Sequence, residues 1–424
     1  MINTPKPVPE PVPELAHSSW LTLTAAAHRI TFLPGTVMTI IAVLWWMADL
    51  HLRNVWGINL APEALPAPLL HAWLMLYGLF PFFIFGFLFT AVPNWLNGKK
   101  ISRSAYTSTG LFMAVGAALA FVLPVLGLAL HLLGWGIGAL ALFLTIAGAA
   151  PQDKRHAWLA WVALALGWLG GFLFLAWVLD GQVDGLAVGG QIDLLGWALA
   201  LAIWGCLAPV FLTVCHRMVP WFTSRVLPNY VIVRPYAALY ALLLACLVHA
   251  GLQASNLGQL TWVADLPLAG ITFWLIARWG IARSFGVRLL AMLHIAFVWA
   301  GVAFALYALD SLANFFGLAW SLGLAPLHAL GMGFFGSMLV GMASRVSLGH
   351  SGHKLEADDL TWRAFWLVQA AAVVRLVADV FPLTTSLQSA FISLAGVLWL
   401  VAFGTWAWRF APMYWRPRAD GKPG

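Results

Sequence analysis

The sequence is poor in charge. Asp, Glu, Lys and Arg make up 9% of its 424 residues, whereas 62% are hydrophobic, and the mean hydropathy is +0.88. So little charge cannot cover the surface of a soluble chain this long, so its solvent is largely lipid. That excludes a secreted domain, a nucleic-acid binder and a cytosolic enzyme. Cysteine is also scarce. Cys206, Cys215 and Cys246 all fall in apolar segments, and an odd number at lipid depth argues against a disulfide framework. They read as packing residues, although Cys246 and His249, one helical turn apart, could share a metal. Glutamate occurs only at positions 10, 14, 63 and 356, all outside the apolar segments. Aspartates near or within those segments are few; Asp49, Asp193, Asp265 and Asp310 are among them, and Asp379 has Arg375 beside it. Ion-coupled transporters rely on buried carboxylates, so this scarcity weighs against one.

Long apolar runs are what the sequence has in abundance. Twelve occur, at roughly 31–50, 68–92, 105–125, 128–149, 156–179, 194–215, 236–254, 260–281, 288–310, 324–345, 361–382 and 387–410. At about 1.5 Å per residue each can cross a hydrocarbon core of about 30 Å. The expected fold is all-α: one twelve-helix membrane domain over 31–410. A disordered, proline-rich tail and lead-in (1–30) precede it, with no cleavable leader expected, and a second tail (411–424) follows. Twenty of the 22 basic residues fall on one side of this topology; Arg53 lies in an opposite loop and Arg375 inside span 11. Positive charge collects in the cytoplasm, which places both termini there and accounts for the formal charge of +7 without an acidic partner. Spans 2, 6 and 10 run inward and end alike, at Val92-Pro93, Val219-Pro220 and Arg345-Val346, spaced by 127 and 126 residues. This spacing suggests three arcs of four helices.

Ionisable side chains at membrane depth are costly unless paired or ligated. His71 opens span 2 and His328 opens span 10, both on the side opposite the positive charge. Each is followed four residues later by a methionine, Met75 and Met332, one turn along the same helix. His249 lies late in span 7 on that side, His294 early in span 9, and His216 and His350 close spans 6 and 10. Neutral imidazole is the common axial ligand of haem iron and also binds copper. Small residues at Ala325, Ala329, Gly333, Ser337 and Gly341, with Gly331 and Gly336, leave room beside His328 for another helix or a flat macrocycle. Gly78 and Gly86 do the same below His71. Arg375 and Asp379 form an i, i+4 pair on span 11, or else Arg375 takes an anionic group such as a haem propionate. Most of the 25 tryptophans, among them Trp45, Trp46, Trp95, Trp221 and Trp415, read as interfacial anchors.

These segments resemble the NnrS family of bacterial membrane proteins. The resemblance is carried by His71 through Trp95, Arg217 to Thr223, Leu293-His294-Ile295 with Trp299, and His328 to Gly352. Its most specific stretch is Ser344-Arg345-Val346-Ser347-Leu348-Gly349-His350-Ser351-Gly352. It implies association with haem b, with copper, and with nitric oxide metabolism in denitrification and nitrosative stress. It also implies His71, His294, His328 and His350 as site residues, to which depth and chemistry add His249 and His216. Trp73 and Leu74 stand where the family carries a second histidine and a glutamate, and Tyr77 nearby could donate a hydrogen bond. The architecture is also similar to subunit I of haem-copper oxidases, where spans 2 and 10 bear haem ligands.

The leading expectation is a haem-binding protein of the bacterial inner membrane acting on nitric oxide, with an unidentified electron donor. In its fullest form His71 and His328 ligate haem and a second metal lies near His294 or His249. The alternatives are a non-catalytic carrier or sensor of haem, copper or nitric oxide, or a twelve-span solute transporter. The His–Met pairs would suit copper(I).

Overall fold

The computed structural model describes residues 19–181, 193–381 and 383–421, and among them there is no strand. Twelve long helices match the twelve apolar runs: α1 (Ala27–Trp56), α2 (Ala67–Trp95), α3 (Arg103–Leu119), α4 (Pro124–Gly148), α5 (Arg155–Asp180), α6 (Leu194–Val226), α7 (Tyr236–Ala254), α8 (Trp262–Arg278), α9 (Arg288–Phe315), α10 (Ala325–His350), α11 (Asp359–Val380) and α12 (Thr385–Phe410). Nine are long and apolar enough to cross a membrane. Of the others, α3 and α8 have 17 residues each, and α11 carries Asp359, Arg363, Arg375 and Asp379. The chain is an all-α membrane protein.

Local chemistry sets the helix ends. Ser102, Asp358 and Thr384 cap α3, α11 and α12 by accepting backbone N–H groups of their first turns. Pro124 occupies the first position of α4, where its missing N–H costs nothing; the boundary falls before it, not after it as the hydrophobic run suggested. Gly57 ends α1 with φ 68°, a left-handed conformation that glycine adopts without strain.

The termini are more ordered than the sequence suggested. The proline-rich run lies outside the described residues, but a short helix spans Ser19–Leu23 and α1 begins at Ala27. After α12, a turn of helix at Pro412–Trp415 packs on α1. The reason is Arg29, 1% exposed in the first turn of α1. Its guanidinium donates to the carbonyl of Arg416 at 2.8 Å, so a buried cation fixes the C-terminal segment.

The helices repeat one packing scheme three times. The first of each set of four packs on the second (α1 on α2, α5 on α6, α9 on α10) and the third on the fourth (α3 on α4, α7 on α8, α11 on α12). The fourth packs on the first of the next set, and α12 closes the ring on α1. The second helices sit at the centre, with 78%, 89% and 78% of their apolar windows buried in α2, α6 and α10. All three are irregular at matching positions. Helix α2 breaks between Leu76 and Phe80; α6 and α10 each carry a π-helical segment, Leu201–Leu207 and Ala329–Gly336. Irregular backbone at membrane depth is tolerated where protein surrounds it, and Tyr77 to Leu79 and Leu201 to Leu207 are buried. Among the described residues, helix polarity places every Lys and Arg but two on one face, called here the arginine-rich face. The two exceptions are each paired i, i+4 with an aspartate, Arg53 with Asp49 at 3.2 Å and Arg375 with Asp379 at 2.5 Å.

Candidate haem and metal site

The first turns of α2 and α10 carry His71 and His328 to the face opposite the arginines. There His71, His328 and Arg375 lie within electrostatic reach of one another. His328 Nδ1 lies 3.0 Å from the carbonyl of Leu324 and 3.1 Å from Asp379 Oδ2. Both partners are acceptors, so Nδ1 carries the proton and Nε2 keeps its lone pair. A carboxylate that fixes a histidine tautomer in this way is the usual support behind a metal-bound imidazole. Gly331, three residues on, has open space where a Cβ would stand.

His71 is fixed differently. Its ring stacks on Trp46, with centroids 4.4 Å apart and planes at 16°, and its Nδ1 is buried with no hydrogen-bond partner. A buried, unpartnered imidazole nitrogen is costly without a ligand. The nitrogens left free on these two histidines are of a kind that suits a haem or another metal group, which they would hold. Trp46 is a shelf for the imidazole as well as an interfacial residue.

Other site expectations separate from this pair. Met75 and Met332 are half-buried, but Met332 falls in the π-helical segment while Met75 lies on α-helix. The wider turn gives the two His–Met spacings different registers. The small residues of α10 mainly seat neighbours: a Cβ on Gly333 would lie 2.5 Å from Trp299, and one on Gly336 would lie 3.0 Å from Trp399. Gly86 is likewise closed by Phe32, 2.7 Å from an added Cβ. Trp73 is buried edge-on to His131. Tyr77 donates to the carbonyl of Ala198 at 2.8 Å instead of to the histidines. Arg375 donates to Asp379 Oδ1, which supports the paired reading of that residue.

His249 belongs to a second histidine–aspartate pair on the same face. Its Nδ1 donates to Asp265 Oδ1 at 2.7 Å, with both side chains buried, and its ring lies on Trp204 at 3.6 Å. Trp204 sits in the π-helical segment of α6, so both π segments adjoin a histidine–aspartate pair, a common place for such distortions. Cys246 is buried and free. Among the described residues no three of His, Cys, Asp and Glu come together to hold a metal, so Cys246, His249 and Asp265 do not form such a site.

His294 and His350 lie at the arginine-rich end, away from His71 and His328. Thr223 Oγ1 donates to the carbonyl of Val219, so His294 Nε2 donates in turn to that hydroxyl at 3.1 Å. His294 thus has a structural partner far from the proposed haem pair. The His350 ring lies 4.8 Å from that of His28, and both nitrogens of His28 are buried without partners. Sequence reasoning missed His28 because it lies on α1, over 300 residues away. His216 sits in another chain of contacts, 3.0 Å from His156, which contacts Tyr236. The Tyr236 hydroxyl donates to Asp153 at 2.5 Å. Asp153, in the loop before α5, is held well below the usual carboxylate range by its hydrogen bond to Arg155, with Tyr236 adding to the effect.

Residues 22–418 match the family model described as NnrS protein, and the chain belongs to that family. No curated protein matches it.

Proposed function

Taking membership of the NnrS family as the premise, we propose that this membrane protein of the nitric oxide response binds haem b between α2 and α10 through His71 and His328. The observation that carries this reading is His328 Nδ1 within hydrogen-bond distance of two acceptors, the Leu324 carbonyl and Asp379 Oδ2, together with a buried His71 Nδ1 that lacks a partner. Haem iron would supply a site for nitric oxide. The chain's own residues hold the imidazoles: Asp379 sets the tautomer of His328, Arg375 balances that carboxylate, and Trp46 orients His71. Nitric oxide is apolar and reaches such a site through lipid. The positive-inside rule puts the arginine-rich face in the cytoplasm of a bacterial inner membrane, and the site toward the other side.

Binding at this pair does not require turnover. A carrier or sensor role, with haem or copper as its metal, accounts for the same pair of histidines. A reduced-minus-oxidised spectrum of the purified protein, with and without nitric oxide, separates these readings. A Soret band that shifts with the gas and is altered by His71→Ala or His328→Ala is the expected result. A colourless protein after expression with ample haem would overturn the haem assignment; stoichiometric copper in that protein would leave the carrier reading standing.

A further inference from the structure

Where α2, α6 and α10 reach the arginine-rich face they enclose a cavity of about 650 Å³. Its charged lining is of one sign: Arg217 and Arg345 from α6 and α10, Arg234 at the rim, with His350 beside them and no Asp or Glu. Arg217 and Arg345 are half-buried. Neither has a carboxylate or hydrogen-bond partner among the described residues. Their guanidinium groups lie over aromatic rings instead, Arg217 4.7 Å from Trp95 and Arg345 4.0 Å from Phe222. The acidic group within electrostatic reach of Arg217 is Asp153, already engaged by Arg155 and Tyr236.

The cavity lies on the axis relating the three helix sets. Ala91, Met218 and Arg345, one from each central helix and 127 residues apart, all line it. About one turn deeper, Leu88, Cys215 and Met342 keep that spacing around a smaller apolar cavity, and Phe87 lines both. The result is a cationic mouth above an apolar floor. Like charges gathered in a partly desolvated space repel each other, while an arginine fork matches the oxygens of a phosphate. We propose that this cavity binds a phosphate group at Arg217 and Arg345, presented either by a phosphorylated solute or by an anionic phospholipid headgroup. The assignment is independent of haem binding at the opposite face.

The test uses the full chain in detergent, with inorganic pyrophosphate followed by equilibrium dialysis and phosphatidic acid followed by native mass spectrometry. One bound phosphate species per chain is expected, with affinity at least tenfold weaker in Arg217→Gln and Arg345→Gln. The exposed Arg363→Gln serves as a control with unchanged binding. Pyrophosphate binding identifies a solute site, and selective retention of phosphatidic acid over phosphatidylcholine identifies a lipid site. Variants that keep the native thermal midpoint and bind both probes as the native chain does would overturn the proposal, as would no binding by the native chain. Loss of a haem Soret band in the arginine variants, with no phosphate binding by the native chain, would overturn it by making the cavity a cofactor pocket.

Discussion

The carboxylate of Asp379 divides its two oxygens between two side chains: Oδ2 accepts from His328 Nδ1 at 3.1 Å and Oδ1 accepts from Arg375 at 2.5 Å. Partners behind a ligating histidine typically contribute about 10–100-fold to affinity for the metal group. Asp379→Leu is therefore expected to weaken haem binding by about that factor, while Asp379→Asn, which can still accept the His328 proton, loses less. Haem titration of the apo-protein reads the difference. Equal affinities in all three proteins would show that Asp379 does not support a ligand.

The pair of His249 and Asp265 is buried on both sides, and removing one member strands the other. Asp265→Ala leaves an imidazole N–H unsatisfied beneath Trp204, a cost of about 1–3 kcal/mol. The double change His249→Phe with Asp265→Leu removes both polar groups and should recover much of that loss. Thermal unfolding in detergent measures both, and a double variant no more stable than the single one would contradict the argument.

Asp153 gives a prediction in pH. Its folded value is depressed, chiefly by the Arg155 hydrogen bond, so its contribution is fully present above the unfolded value of about 3.9 and lost as pH falls through the folded one. The midpoint difference between the native chain and Asp153→Asn should thus be constant from about pH 5 to 8 and shrink only in stronger acid. The group is exposed, so the difference is small. A difference that changes between pH 6 and 7 would show that the Arg155 hydrogen bond to Asp153 is not its source.

Much of the fold was legible in the sequence because apolar length and the placement of basic residues report directly on lipid crossing. The twelve helical ranges, nine of them long and apolar enough to cross a membrane, were visible as apolar runs, and Pro93 and Pro220 mark equivalent positions in two of the central helices. The site was legible only in part. His71 and His328 were visible by depth, yet Asp379 as the partner of His328 was not, because i, i+4 spacing pointed it toward Arg375 alone. The pairing of Asp265 with His249 and of His28 with His350 joins different helices, which no local pattern encodes. The π-helical segments left no mark beyond the glycines Gly331, Gly333 and Gly336. Gly86 and Gly333 looked like room for a ligand, although a missing Cβ reads the same whether a macrocycle or a Phe32 or Trp299 ring occupies the space.

That last distinction can be measured. A Cβ on Gly86 would lie 2.7 Å from Phe32 Cε1, with Thr31 Oγ1 closer still, whereas one on Gly331 meets nothing within 4 Å. Forcing a methyl group into a packed helix contact costs about 1–3 kcal/mol, while alanine for glycine in an open helical position is neutral or slightly favourable. Gly86→Ala should lower the thermal midpoint, and Gly331→Ala should leave it unchanged or raise it slightly. The larger Gly331→Leu fills the space beside His328 and is expected to keep the fold while weakening haem binding at least tenfold. If Gly331→Leu bound haem as the native chain does, the space beside His328 would not be where the macrocycle lies, and His328 would have to meet its ligand from another side.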